Sequence, residues 1–217
     1  MTALHVFDMD GTLLRGTSAS LEIGRGIGRL PDIEEFEAAS SAGTMDNVAF
    51  ARACHPIWQT LTETDVDDAF AAAPWIGGIA EVWADIAERG ERSAVVSMSP
   101  LFFVRRLLDW GAGSVHATDV PIGRPLDESL VLTTEAKVTI VESLLGEHGL
   151  EPHDCVAYGD SYTDTALFRA VPNTVAINAD SRIRRLARVV YDGDDLRDAY
   201  GRGRMLLGAR TLQEGTG

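Results

Sequence analysis

The chain predicts an α/β fold, a three-layer core with a parallel sheet between helices and a helical cap inserted after the first strand. Three observations carry this reading. From about residue 77 onward, short apolar runs alternate with stretches of helical periodicity, the pattern of a parallel sheet covered on both faces. An earlier apolar run, Leu4-His5-Val6-Phe7, reads as a buried strand. Residues 15–76 lie between them, rich in Ala, Glu and Asp and without a strand-like run. The core is assigned to residues 1–14 and 77–217, and the cap to residues 15–76.

Each element follows from its own pattern. In the cap, Ile33 and Phe36, then Val48, Phe50 and Ala51, then Val66, Ala69 and Phe70 mark several helices. Ile79, Val82, Trp83 and Ile86 recur at helical spacing, and Gly90 closes that helix. Ser93 to Ser97 is a strand; Val104, Leu107 and Leu108 mark a helix ending near Gly111; Ser114 to Thr118 is another strand. Pro121, Gly123 and Pro125 sit between β-prone runs, so residues 119–133 read as a hairpin excursion. Val138, Ile140, Val141, Leu144 and Leu145 form a helix stopping at Gly149. Cys155 to Tyr158, Thr174 to Ile177 and Val189 to Tyr191 complete the strands.

Composition narrows the function. The chain has 217 residues, is 45% hydrophobic and carries a formal net charge of −14. That balance argues against a nucleic-acid or anionic-membrane partner, which would need clustered Lys and Arg. The local gathering of Arg182, Arg184, Arg185 and Arg188 reads as the solvated face of a helix. Two cysteines, Cys54 and Cys155, have neither disulfide nor zinc spacing. The first strand begins at once, leaving no room for a signal peptide, and no apolar stretch approaches the roughly 20 residues of a membrane span. A soluble, cytoplasmic protein is expected.

Four signals fall at or just after the carboxyl ends of predicted strands, where open α/β sheets place their ligands. The first is Asp8-Met9-Asp10-Gly11-Thr12. Asp8 and Asp10 would point into one crevice, Gly11 permits a sharp turn, and Thr12 offers a hydroxyl and an amide. Two acids beside an anion-binding turn suggest a cation and a phosphate together. The second is Ser97, whose hydroxyl and following amides could hold phosphate oxygens ahead of a helix. The third is Lys137 in Thr134-Glu135-Ala136-Lys137, a cation opposing the helix dipole and so in need of an anionic partner. The fourth is Gly159-Asp160-Ser161-x-x-Asp164, two acids flanking one helical turn.

In this order the four signals resemble the motifs of the haloacid dehalogenase superfamily, from residue 4 to about 190. The cap position and the Ser97-Met98-Ser99 turn resemble its phosphoserine phosphatase-like branch. The resemblance implies a Rossmann-like core and a Mg²⁺-dependent phosphatase acting on a small phosphorylated metabolite. It implies Asp8 as nucleophile, forming an aspartyl-phosphate, and Asp10 as acid–base residue. Asp8 and Asp160 would bind Mg²⁺ through carboxylates and Asp10 through its backbone carbonyl. Lys137, Ser97, Met98, Gly11 and Thr12 would hold the phosphate, with Asp164 supporting Lys137 or a metal-bound water. The runner-up is a true phosphoserine phosphatase with Glu22 replacing the missing cap acid. A phosphotransferase or phosphomutase would share the intermediate, and a non-catalytic binding protein would be expected to lack one of these residues.

The cap bears on substrate. Phosphoserine phosphatases of the branch carry a cap glutamate soon after the first motif. Thr17 stands there in this chain, and Glu22 is the nearest acid. Arg52 lies where family members place an arginine for a carboxylate, while Trp58, His55 and Phe50 could form an apolar wall. Thr163 stands where phosphoserine phosphatases often present Asn, beside Ser161 as a further candidate contact. Both departures weaken the case for phosphoserine.

Overall fold

The computed structural model describes residues 2–208. Six parallel strands form one sheet: β1 (Leu4–Phe7), β2 (Arg92–Pro100), β3 (Ser114–Thr118), β4 (Cys155–Gly159), β5 (Asn173–Ile177) and β6 (Val189–Tyr191). Their order across the sheet is β3-β2-β1-β4-β5-β6. The chain therefore winds outward from β1 to β3, then returns to the other side of β1. That reversal opens a crevice at the carboxyl ends of β1 and β4, the position at which such sheets bind ligands.

Side-chain alternation divides the core into two layers. Leu4 and Val6, with Ala94, Val96, Cys155 and Ala157, face α7 (Thr134–His148), α8 (Thr165–Ala170) and α9 (Ser181–Leu186). Phe7, Val95, Val156 and Tyr158 belong to the opposite cluster, packed on α5 (Ile79–Glu88) and α10 (Leu196–Gly208). His5 is buried on the latter side, its ring nitrogens 3.0 Å from Glu91 Oε2 and 3.1 Å from the Tyr158 hydroxyl. It is a packing residue, satisfied at both nitrogens.

Residues 15–76 form α1 (Ala19–Gly26), α2 (Leu30–Ser41), α3 (Asn47–Trp58) and α4 (Glu63–Ala72), with no strand. Sequence periodicity locates α2, α3 and α4 but not α1. Ser18 starts α1, its hydroxyl accepting from the Leu21 amide at 3.2 Å, and Ala19 and Ile23 are buried. Cys54, Ile57, Trp58, Val66 and Phe70 join the same apolar cluster as the adjoining sheet face. The helices thus share the hydrophobic core of the sheet on that side.

Two expectations fail. The segment 119–133 carries no ladder, only one backbone bond from Asp119 to Leu130 (3.1 Å) and a short 3-10 turn at Glu128–Leu130. Pro121 and Pro125 have no amide to donate, so a paired strand cannot form there. The segment is instead held by α3: Asn47 donates to the Leu132 carbonyl (2.6 Å), Gln59 to the Pro121 carbonyl (2.9 Å), and His55 Nε2 lies 2.9 Å from the Arg124 carbonyl. The helix read at Val104 to Gly111 is α6 (Leu101–Val104), continued by a 3-10 turn at Arg105–Trp110. The tighter winding buries Val104 and Leu107 but turns Leu108 outward, 45% exposed. Among the described residues, no helix is long and apolar enough to cross a membrane.

Candidate active site

The last rung between the two central strands places the first acid. The Asp8 amide donates to the Tyr158 carbonyl at 2.9 Å, which fixes Asp8 at the mouth of the crevice. The chain then turns on the buried Met9, whose carbonyl accepts from the amides of Thr12, Leu13 and Leu14. The Thr12 amide is therefore occupied by the turn, contrary to the expectation that it faces a ligand. The Thr12 hydroxyl does face the site, within 3.5 Å of both Asp8 Oδ2 and Asp160 Oδ1. Gly11 has φ +76°, and its amide donates to the Thr17 carbonyl at 3.2 Å. A Cβ there would stand 2.1 Å from Asp160 Oδ2, so only glycine lets that carboxylate close over the loop.

The end of β4 supplies the facing wall. Gly159 likewise has no room for a Cβ, which would meet Asp164 Oδ2 at 2.4 Å. That oxygen accepts from the Asp160 amide (3.0 Å) and the Ser161 amide (3.4 Å), closing the turn. The other oxygen, Asp164 Oδ1, accepts from Lys137 Nζ at 2.7 Å. Lys137, on the first turns of α7, also donates to Asp8 Oδ1 at 2.6 Å and is only 1% exposed. The helix-start lysine thus has the anionic partners its position demanded.

Asp8, Asp160 and Asp164 offer carboxylate oxygens all within 4.8 Å of one another. Burial and the neighbouring acids hold the carboxyls of Asp8 and Asp160 well above the ordinary range, and Lys137 only partly offsets this. Against the effect of burial, Asp164 and Asp8 push Lys137 well above its ordinary range. An oxygen-only cluster with more negative than positive charge suits Mg²⁺, a hard cation bound through carboxylates. Both oxygens of Asp164 are spent on the lysine and the turn, so Asp8 and Asp160 are the carboxylates left for a metal.

Asp10 is set apart. Its Oδ1 accepts from the Ala19 amide at 2.9 Å, and its Oδ2 from the Ser99 hydroxyl. Burial pushes its carboxyl up to about 6 against those two bonds. Two acids two positions apart therefore meet different surroundings, one wired to a lysine and the other to hydroxyl and amide donors.

A cavity of about 550 Å³ opens above these groups, lined by Asp8, Asp10, Gly11, Lys137 and Asp160 below and by α1, α2 and α3 above. Met98, Thr17, Trp58 and Ser161 line it as well. Ser97 does not; it is 1% exposed, and its hydroxyl accepts from the Ser99 amide at 3.1 Å. Ser99, two positions on, is the serine that reaches the cavity. The Thr17 hydroxyl donates to Glu22 at 2.6 Å, and Glu22 turns away to Arg25. Arg52 is exposed outside the cavity, doubly bonded to Glu128 at 2.7 and 2.9 Å.

Sequence reasoning missed Ser99 and Glu37. Glu37 lines the cavity from α2 and accepts from the Ser18 hydroxyl. Its signal was its position: it lies four residues beyond the buried Ile33, on the inward face of the helix.

A parallel α/β sheet with clustered carboxylates and a buried lysine at its switch point, roofed by helices, defines a hydrolase-type site for an anionic substrate. The profile of the haloacid dehalogenase-like hydrolases matches residues 5–169, and the chain belongs to that family. It is 29% identical over 215 residues to phosphoserine phosphatase SerB1 of Mycobacterium tuberculosis, covering 87% of this chain and 68% of that one. To a phosphoserine phosphatase of Idiomarina loihiensis it is 23% identical over 205 residues, covering 92% and 93%. A solved phospho-aspartyl intermediate analogue of phosphoserine phosphatase superposes with a TM-score of 0.74 at 21% identity, covering 91% and 96%. Within its family the chain is an enzyme of the phosphoserine phosphatase-like kind.

Proposed function

We propose that this chain hydrolyses a small-molecule phosphate monoester through an aspartyl-phosphate on Asp8, with Mg²⁺ as cofactor. The observation that carries the reading is the convergence of Asp8, Lys137, Asp160 and Asp164 under one cavity, with Asp10 held separately beside it. The cavity volume is in the range of small-ligand sites. The same assignment takes residues 15–76 as a cap that encloses the substrate.

Lys137 holds Asp8 Oδ1, so attack on phosphorus falls to Oδ2. As that P–O bond forms, the ester P–O bond breaks, and the leaving oxygen takes the proton of Asp10. A carboxyl near 6 is protonated often enough to donate and basic enough to take the proton back. Asp10 then removes a proton from water, which attacks phosphorus and releases Asp8 with inorganic phosphate. Lys137 remains charged throughout, pinned between Asp8 and Asp164, and offsets charge on the transferring group. Bound at Asp8, Asp160 and the Asp10 carbonyl, Mg²⁺ would supply the positive charge that lets an anionic nucleophile approach an anionic phosphate.

Release of inorganic phosphate from p-nitrophenyl phosphate tests the reading. EDTA should silence turnover and Mg²⁺ restore it. Asp8→Asn should lower kcat by about 10⁴-fold or more while the fold persists, as expected for loss of a nucleophile. Turnover near wild type in Asp8→Asn would rule out the aspartyl-phosphate.

A further inference from the structure

We infer that Glu37 is a specificity residue that binds an ammonium group, and that the preferred substrates are phosphate monoesters of short amino alcohols lacking a carboxylate. This rests on the phosphatase reading and adds the chemistry of the leaving group.

The cavity is polarised along its length. Its floor holds the groups assigned to phosphate and metal, and its roof is built by Ser18, Glu37, Asn47, Phe50 and Trp58. Among the described lining residues there are five carboxylates, Asp8, Asp10, Glu37, Asp160 and Asp180, against one cation, Lys137. That lysine is already shared by Asp8 and Asp164. Asp180 is occupied as the cap of α9, accepting from the amides of Arg182 and Ile183.

Glu37 differs from the other carboxylates of these helices, which are either bonded to a partner or, like Glu34, Glu35 and Asp68, exposed to solvent. Glu22 pairs with Arg25, Asp32 with Arg29, and Glu63 with Arg105 and Arg106. Asp65 closes its own capping box. Glu37 is half-buried, faces the cavity and has the Ser18 hydroxyl as its donor, with no ion pair among the described residues. Burial moves its carboxyl upward, the mark of an acid short of positive charge. A ligand ammonium is the group that would complete it.

The spacing to the chemistry is short. Ser18 is bonded to Glu37, and the next residue, Ala19, is bonded to Asp10. Consecutive residues are about 3.8 Å apart, so a leaving group only a few atoms long reaches from Asp10 to Glu37. An ester oxygen at Asp10 and an amine at Glu37 describe a phosphorylated amino alcohol.

Among the described residues lining the cavity, no cation besides Lys137 is present to pair with a carboxylate beside that amine. Arg52 is engaged by Glu128 outside the cavity. Arg182 and Arg185 line an adjoining outer groove, in company with Asp46, Glu135 and Asp180. On phosphoserine the carboxylate and the amine share one carbon, so binding the amine at Glu37 forces the carboxylate against Glu37 as well.

Two measurements test this. Binding of phosphoethanolamine, glycerol 3-phosphate and O-phosphoserine to Asp8→Asn protein, with and without Glu37→Gln, reads selectivity independently of turnover. Hydrolysis of the same three by the wild type and by Glu37→Gln reads it through kcat/KM. The ratio of phosphoethanolamine to glycerol 3-phosphate should exceed about tenfold and collapse in Glu37→Gln, as an unpaired buried charge contact predicts. Using ratios removes any shared effect on Asp10. Phosphoserine bound as well as phosphoethanolamine, or a ratio unchanged by Glu37→Gln, overturns the inference. If no ester is hydrolysed with Mg²⁺ present, the phosphatase reading fails, while the binding ratios still decide the role of Glu37.

Discussion

Replacing Lys137 with methionine isolates the electrostatics of the site from its shape. Methionine is of similar length and apolar, so the buried volume is largely kept, but Asp8 and Asp164 lose the cation at 2.6 and 2.7 Å. All three groups are at most 7% exposed in their side chains, so water cannot compensate. Removing one partner of a buried pair typically destabilises by about 3–5 kcal/mol. For a chain of this size that is a fall in Tm of roughly 10 °C.

The penalty should depend on pH in a defined direction. The carboxyls of Asp8 and Asp160 are raised in the folded protein, so the folded state holds protons that the unfolded chain releases above its ordinary carboxylate range. A raised acid favours folding at low pH, and that contribution is lost as pH rises toward the folded-state value. Loss of Lys137 removes the cation that favours the ionised acids, so their carboxyls rise further and the penalty grows as pH rises. At about 1.4 kcal/mol per proton per pH unit, one proton held across the whole range would add about 3.5 kcal/mol to the penalty between pH 5.5 and 8, and a fraction of a proton correspondingly less. Urea unfolding of both proteins in EDTA at those two pH values measures it. A penalty equal at both, or larger in acid, would show that the acids are not coupled through Lys137.

Two further outcomes follow from geometry. Gly11→Ala should combine left-handed strain of about 1–3 kcal/mol with displacement of Asp160, because its Cβ would lie 2.1 Å from Asp160 Oδ2. The Mg²⁺ concentration for half-maximal turnover should rise by about 10–100-fold; an unchanged requirement would place the metal away from Asp160. Arg52→Ala should leave kcat/KM unaltered on all phosphate esters, since Arg52 is bonded to Glu128 outside the cavity. A selective loss on carboxylate-bearing esters would show that this pair opens toward the site.

The parts of the site that were legible in sequence are those whose chemistry is bound to a strand end. Asp8 and Asp160 follow short apolar runs, and a lysine at a helix start announces an anionic partner through its conflict with the dipole. The order of the strands was not legible, because pairing β1 with β4 joins residues about 150 positions apart and no local pattern encodes it. Ser97 and Ser99 lie on the same side of β2, so alternation could not decide which hydroxyl enters the cavity. The structure gives Ser97 to the backbone and Ser99 to Asp10. Arg52 suggested a carboxylate contact only while Glu128 was unseen, in a segment that read as a hairpin. Proline at positions 121 and 125 sends that segment to α3 instead, and brings Glu128 to the arginine.

The point at which the helices enter the chain has a consequence for specificity. They begin directly after the Asp8–Thr12 loop, so their first residues remain beside the acids of that loop. Ala19 orients Asp10, the adjacent Ser18 orients Glu37, and Thr17 receives the Gly11 amide on its carbonyl. Asp8, by contrast, is tied to Lys137, which Asp164 and the β4 turn hold, and among the described residues neither Asp8 nor Lys137 is bonded to the helices of residues 19–72. Changes in those helices can therefore alter the cavity wall around Glu37 without disturbing Asp8 or Lys137. A change within Thr17 to Ala19 itself, however, touches both, because that short stretch holds Glu37 on one side and Asp10 on the other.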